Sequence, residues 1–308
     1  MFRTKFYPVI TESIWRKHVS REALGVDIHF TELVDEQPAG WLNSLEHYRD
    51  DLPPDKINII DNGAWSYRDE EVSPINAENL AETYREKAPH DSIVIAPDHM
   101  LIPGVNIAYR RKWNKEQAVK FLELCPDYLR PMAAVHGETT EERVEYAQWL
   151  THIGYKYLAV GGVAGRAFEF NDICNMVKQV KAAIPSDTWL HVLGLTSLKY
   201  LKEWNQIGVT SVDGTSYWRH AFAGKIAYLQ DGELMYYDSG RIKEDPDDFL
   251  IHVPSVSRAP ECNCKACATL REHGIDTRMT GKTLNSQGNA LHNLNIIMKA
   301  QKLLPPMK

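Results

Sequence analysis

A chain of 308 residues with 44% hydrophobic content is long enough for one large α/β domain with an appendage, and it can bury a substantial core. Its formal charge of −6 excludes a global attraction to nucleic acid, so a polynucleotide partner needs a local basic surface. No apolar run approaches the roughly 18 residues of a membrane span, and MFRTKFYPVITES lacks a signal-peptide core, which predicts a cytoplasmic protein with no membrane partner.

In chain order, VDIHF (26–30) reads as a first strand and INII (57–60) as the next. A helix over 76–88 leads to the strand SIVIA (92–96), and a helix over 114–124 to MAAV (132–135). Thr139 and Thr140, followed by EERVEYAQWL, open a helix over 139–152 with a capping signal. YLAV (157–160), a helix over 171–183, WLHVL (189–193), a helix over 197–206 and VTSV (209–212) continue the alternation. The β-branched runs are the kind that parallel sheets bury on both faces. Seven such runs nearly complete an eight-stranded barrel, although a doubly wound open sheet makes the same alternation.

After residue 225 the pattern changes. A Gly-Glu-Leu turn near 232, an acidic loop EDPDD (244–248) and a Pro-flanked segment lead into three cysteines, and a helix from about 285 to 303 closes the chain. Five cysteines, three of them within six residues, suit a metal better than a disulfide framework. Cys262, Cys264 and Cys267 with His292 supply enough donors to close a tetrahedral zinc shell, a structural rather than catalytic arrangement, with His273 as an alternative fourth ligand. Cys125 and Cys174 read as buried helical thiols.

Barrel enzymes place their chemistry at the C-terminal ends of strands. Here those ends carry Asp61, Asp98, His136, Gly161 with Gly162, Gly194 and Asp213. Paired carboxylates in unlike environments are what glycosidic chemistry needs, one ionised to attack the sugar and one protonated to release the leaving group. Which is which is open from spacing alone, and an ordinary glycoside hydrolase would use the same pair. Trp65, four residues after Asp61, is placed to stack on a base or to pack in the core.

These residues, in order from about 57 to 300, resemble the tRNA-guanine transglycosylase (queuine and archaeosine tRNA-ribosyltransferase) superfamily. Asp61-Asn62-Gly63-Ala64-Trp65 resembles the segment whose Asp is the general acid/base and whose aromatic stacks on the base. Ala96-Pro97-Asp98 is similar to the segment whose Asp reads the guanine edge, and Ala134-Val135-His136-Gly137 to one with a base-contacting Gln where His136 stands. Ala159-Val160-Gly161-Gly162-Val163 resembles the Gly-Gly turn, and His191-Val192-Leu193-Gly194 the stretch whose apolar residue packs on the base. Asp213 falls where the nucleophile does, and the cysteine spacing and the Ala290-Leu291-His292-Asn293-Leu294 helix match as well.

The resemblance implies a (β/α)8 TIM barrel over 1–250 and a small zinc-binding subdomain over 251–308, whose helix packs back on the barrel. It implies exchange of guanine in a polynucleotide for a 7-deazaguanine, with structural Zn2+ and a homodimer. Asp213 would be nucleophile and Asp61 acid/base, while Trp65, Asp98, His136, Gly162, Val163, Leu193 and Arg219 bind substrate. GTSYWRHAFAG after Asp213 keeps Arg219 but lacks the proline and second arginine of the tRNA enzymes, and the chain is shorter and lacks their RNA-binding extension. These departures point to the DNA-modifying branch, with exchange on tRNA as the alternative and a non-catalytic partner subunit less favoured because both aspartates are present. Arg166, where the bacterial tRNA enzymes carry a Glu for an aminomethyl cation, points to the neutral nitrile base, 7-cyano-7-deazaguanine (preQ0).

Overall fold

A computed structural model describes residues 3–10, 27–238, 259–277 and 283–305. They fall into two compact units, one of residues up to 10 and 38–214, the other within 11–37 and 215–305. The first unit is a closed parallel barrel of eight strands. In order they are β1 (Lys5–Ile10), β2 (Leu42–Ser44), β3 (Ile59–Asp61), β4 (Ile93–Ile95), β5 (Arg130–Val135), β6 (Tyr157–Val160), β7 (Trp189–Val192) and β8 (Ser211–Gly214). Closure is made by β1 against β8, where Tyr7 lies beside Asp213 and Pro8 beside Gly214.

Side chains alternate between the two faces of a strand. Ile57 with Ile59, Ile93 with Ile95, Tyr157 with Ala159, and Trp189 with Leu193 therefore meet Tyr7, Leu42 and Met132 inside the barrel. The same alternation brings Asp61, the next same-face position two residues after Ile59, to the barrel mouth. The barrel is thus a filled core whose mouth is polar, as this fold requires.

Crossover helices α1 (Ala77–Lys87), α2 (Ile107–Leu124), α3 (Thr140–His152), α4 (Phe170–Ala183) and α5 (Leu198–Ile207) follow the strands. Their ends are set locally. Thr139 accepts from the Glu142 backbone N–H in the expected capping box, and Gly208, at φ +87°, ends α5 in the left-handed conformation that glycine tolerates. The α2 helix starts seven residues before the expected 114 because Asn106 caps it through the Tyr109 N–H. Arg110 then turns inward, donating to the carbonyls of Arg68, Glu70 and Met100, and is buried although Ala108 and Tyr109 beside it are exposed.

The expected first strand at 26–30 is not one. Val26 lies outside the described residues, and His29 instead caps a 3-10 turn, Phe30–Leu33, whose Phe30 and Leu33 are buried. The true first strand is Lys5–Ile10, which Pro8 disguises because proline lacks a ladder N–H. The second, three residues long with buried Asn43 at its centre, carries no apolar run to read.

The second unit contains that 3-10 turn, α6 (Ser216–Phe222), the hairpin β9 (Lys225–Gln230) and β10 (Glu233–Asp238), α7 (Lys265–Glu272) and α8 (Thr283–Leu303). The hairpin turns at Asp231-Gly232, both at positive φ, in agreement with the expected turn near 232. The closing helix also agrees. Asn293 ties it to the hairpin by accepting from the Ala227 N–H and donating to the Lys225 carbonyl. The acidic loop 244–248 lies outside the described residues. Among the described residues no helix is long and apolar enough to cross a membrane.

Candidate functional site

The mouth of the barrel gathers the acidic strand ends. Asp61 ends β3, and its Oδ2 accepts from the Gly63 N–H at 3.1 Å. Burial pushes its carboxyl up to about 7; the Asp98 and Asp213 carboxylates add to the rise, and the N–H groups of Gly63 and Asn62 oppose it. Three carboxylates crowded at one mouth thus leave this one able to carry a proton near neutrality.

Asp98 is buried just beyond β4. Its Oδ1 accepts from Asn62 Nδ2 at 2.7 Å, and its Oδ2 stands 3.3 Å from His136 Nε2, close but not aligned for a hydrogen bond. Asn62, not expected from the sequence, joins the two strand ends: Nδ2 also donates to the Ala96 carbonyl, and Oδ1 accepts from the Ala64 N–H. It fixes the loop that follows Asp61.

Asp213 is buried on β8, with two nitrogens against one of its oxygens. His191 Nε2 lies 3.0 Å from Oδ1, and the Gly194 N–H donates to the same atom at 3.0 Å. Gly194 reaches it at φ +79°, and a Cβ there would sit 2.9 Å from that of Ala164, so the turn needs glycine. Gly214 is likewise pressed against Thr196, where a Cβ would meet Oγ1 at 2.5 Å. His191 was expected only as part of a motif. The available signal was its position, two residues after Trp189 and opposite Ser211, on faces that alternation directs inward.

The remaining expected contacts occupy distinct settings. Gly162, at φ +70°, exposes its backbone, whereas the Val163 side chain is fully buried. Leu193 is half-buried against the barrel interior. Trp65 is 60% exposed with the Arg68 guanidinium 4.4 Å over its ring, so it is not a core residue. Arg143 Nη1 joins the ends of β5 and β6 by donating to the carbonyls of Val135 and Gly161. Arg166 is paired with Glu169, which offsets its charge locally. Arg219 is exposed on α6 of the second unit.

That second unit also brings Cys262, Cys264, Cys267 and His292 together, with their ligand atoms all within 4.8 Å of one another. Cys264 Sγ lies 3.6 Å and Cys267 Sγ 3.2 Å from His292 Nδ1, while His292 Nε2 is 2.7 Å from the Ala227 carbonyl. Donation to that carbonyl leaves Nδ1 facing the sulfurs as a ligand, the usual outer support of a metal-bound imidazole. Three thiols and one imidazole around one point fit a single soft metal ion. His273 caps α7 outside this group. Cys125 and Cys174 are half-buried rather than buried, and burial still pushes their thiols up to about 12 and about 11.

Comparison with known proteins places these features in a lineage. The chain is 24% identical over 230 residues, 70% of its length and 53% of the relative's, to a DNA-guanine transglycosylase of Salmonella montevideo. The chain therefore spans about half the length of the curated relative it matches. Residues 108–303, which include Asp213 and the three-cysteine, one-histidine cluster but not Asp61 or Asp98, match the queuine tRNA-ribosyltransferase family, and the chain belongs to that family.

Proposed function

We propose that this chain is a guanine transglycosylase that exchanges guanine in DNA for a 7-deazaguanine base, with Asp213 as nucleophile and Asp61 as general acid and base. What supports the reading is the unequal treatment of two carboxylates at one barrel mouth. Asp61 is pushed up to about 7, whereas Asp213 has one oxygen that accepts from the Gly194 N–H and lies 3.0 Å from His191 Nε2. Asp213 attacks C1′ of the target nucleotide; the bond to guanine breaks with its electron pair, and Asp61 gives the departing base a proton. The incoming base then forms its bond to C1′, returns a proton to Asp61 and releases Asp213, so configuration is retained and the backbone stays intact. Extruding the target base from duplex costs a few kcal/mol.

Asp98, His136 and the backbone at Gly162 and Val163 are assigned to the purine edge, Trp65 and Leu193 to its faces, and Arg219 to a phosphate. Trp65 is suited to this because its exposed face is available for stacking. We assign the four-ligand cluster to structural Zn2+, because its donors form a closed set. DNA is preferred as substrate from the relative's description as a DNA-guanine transglycosylase. Exchange on tRNA is the second reading, favoured by the description of the matched family.

The test is incorporation of labelled preQ0 and radiolabelled guanine into duplex DNA, single-stranded DNA and bulk tRNA, beside an aminomethyl analogue of the base. We expect both labels to enter DNA, the nitrile base to be preferred over the cationic one, and Asp213→Ala to abolish exchange while remaining folded. Incorporation into tRNA alone would overturn the DNA assignment, and an active Asp213→Ala would remove the nucleophile. Preference for the aminomethyl base would overturn the assignment of the neutral nitrile base.

A further inference from the structure

The floor beneath Asp213 carries a buried polar chain that the exchange chemistry does not itself require. Trp189 Nε1 donates to Ser211 Oγ at 2.6 Å, Ser211 Oγ lies 2.7 Å from His191 Nδ1, and His191 Nε2 lies 3.0 Å from Asp213 Oδ1. His191 and Ser211 are both fully enclosed, and they are direct register partners on β7 and β8. Such a chain has a direction, which is set at its ends. An indole N–H can only donate, so Trp189 takes a lone pair of Ser211 Oγ. Ser211 still has its own proton to place, and His191 Nδ1 is the acceptor beside it. At the other end, Asp213 Oδ1 already accepts the Gly194 N–H and accepts again from His191 Nε2.

We propose, resting on the functional reading above, that Ser211 and Trp189 lock His191 as the neutral Nε2–H tautomer, and that His191 with Gly194 pins Oδ1 so that Oδ2 of Asp213 is the oxygen that bonds to C1′. His191 is thus a positioning residue for the nucleophile. The opposite tautomer would set a bare Nε2 against a carboxylate oxygen. An imidazolium would present a second donor to Ser211 and leave a buried hydroxyl proton unpaired, which is costly. No hydrogen bond from a described residue reaches Oδ2, which is the condition an attacking oxygen must meet. In the covalent step, the Oδ2–C1′ bond forms as the C1′–guanine bond breaks, and Oδ1 keeps both of its N–H donors as the carboxylate becomes an ester carbonyl. The two donors then resemble those that hold a developing carbonyl in acyl enzymes, and they remain in place for the return step.

The experiment compares wild type, Ser211→Ala and His191→Gln in two readouts. Multiple-bond 1H–15N spectra of the full chain with labelled imidazoles, with His191→Gln identifying its signal among the 12 histidines, report the tautomer. We expect Nε2–H in wild type and a mixture of tautomers in Ser211→Ala. Single-turnover formation of the protein–polynucleotide adduct and steady-state exchange report the chemistry. We expect kcat to fall about 10- to 100-fold in Ser211→Ala with KM for the base within about twofold, as for a misplaced nucleophile rather than weakened binding. A purely structural role would lower the folded fraction instead, leaving kcat per folded molecule unchanged. An Nδ1–H or doubly protonated His191 in wild type overturns the proposal whatever the activity. So does a Ser211→Ala that keeps both the wild-type tautomer and kcat. Wild-type protein inactive on every polynucleotide would sink the functional reading instead, while the spectra still decide the relay.

Discussion

Asp61 shows how a single carboxyl acquires a role from its surroundings. Its carboxyl, at about 7 in the folded chain against an ordinary 3.8, is harder to ionise folded than unfolded. Between about pH 4 and 7 the folded state holds the extra proton, so stability contributed by Asp61 falls as pH rises through that window. Asp61→Asn should therefore melt above wild type at pH 8, with the gap closing toward pH 4; a pH-independent gap would rule out the carboxyl as its source. In exchange assays the rate should decline above about pH 7 as the acid loses its proton. The same variant should be slower by about 100-fold and lack that limb. At this scale the sequence shows which residues are acidic and that they follow strands. It does not show which carboxyl carries the proton, because the causes are burial and the charges of Asp98 and Asp213, which lie 37 and 152 positions away along the chain.

Whole elements were legible where their causes are local. The capping box at Thr139 and the hairpin turn near 232 depend on neighbours within a few residues, and each stands where the pattern puts it. β1 and β2 were not legible: one is interrupted by Pro8, and the other is a three-residue strand that is extended because the barrel pairs it on both sides. The β7 turn makes an element-scale prediction. Gly194→Ala must tolerate φ +79° and a Cβ 2.9 Å from that of Ala164, a cost of about 1–3 kcal/mol. We expect urea unfolding to report that loss and exchange to drop about 10- to 100-fold as the Gly194 N–H leaves Asp213. Wild-type exchange in a destabilised variant would show that His191 alone suffices.

For the whole molecule, the cluster assigned to zinc joins segments far apart in sequence, since His292 stands 25 residues after Cys267 and on a different helix. A structural metal contributes its binding free energy to folding. Cys264→Ser should therefore reduce zinc stoichiometry from about one per chain and lower the melting temperature by more than about 5 °C, read by elemental analysis and thermal melts. Unchanged zinc content would remove the metal assignment. The sequence by itself determined the βα alternation, the polar strand ends, the cysteine cluster and the family, because periodicity, capping and ligand spacing are properties of short stretches. Only the tertiary structure decided that the sheet closes, that β1 meets β8, and that Trp189, Ser211, His191 and Asp213 form one directed chain. Those depend on register between strands and on removal of polar groups from water, and neither exists until the barrel shuts.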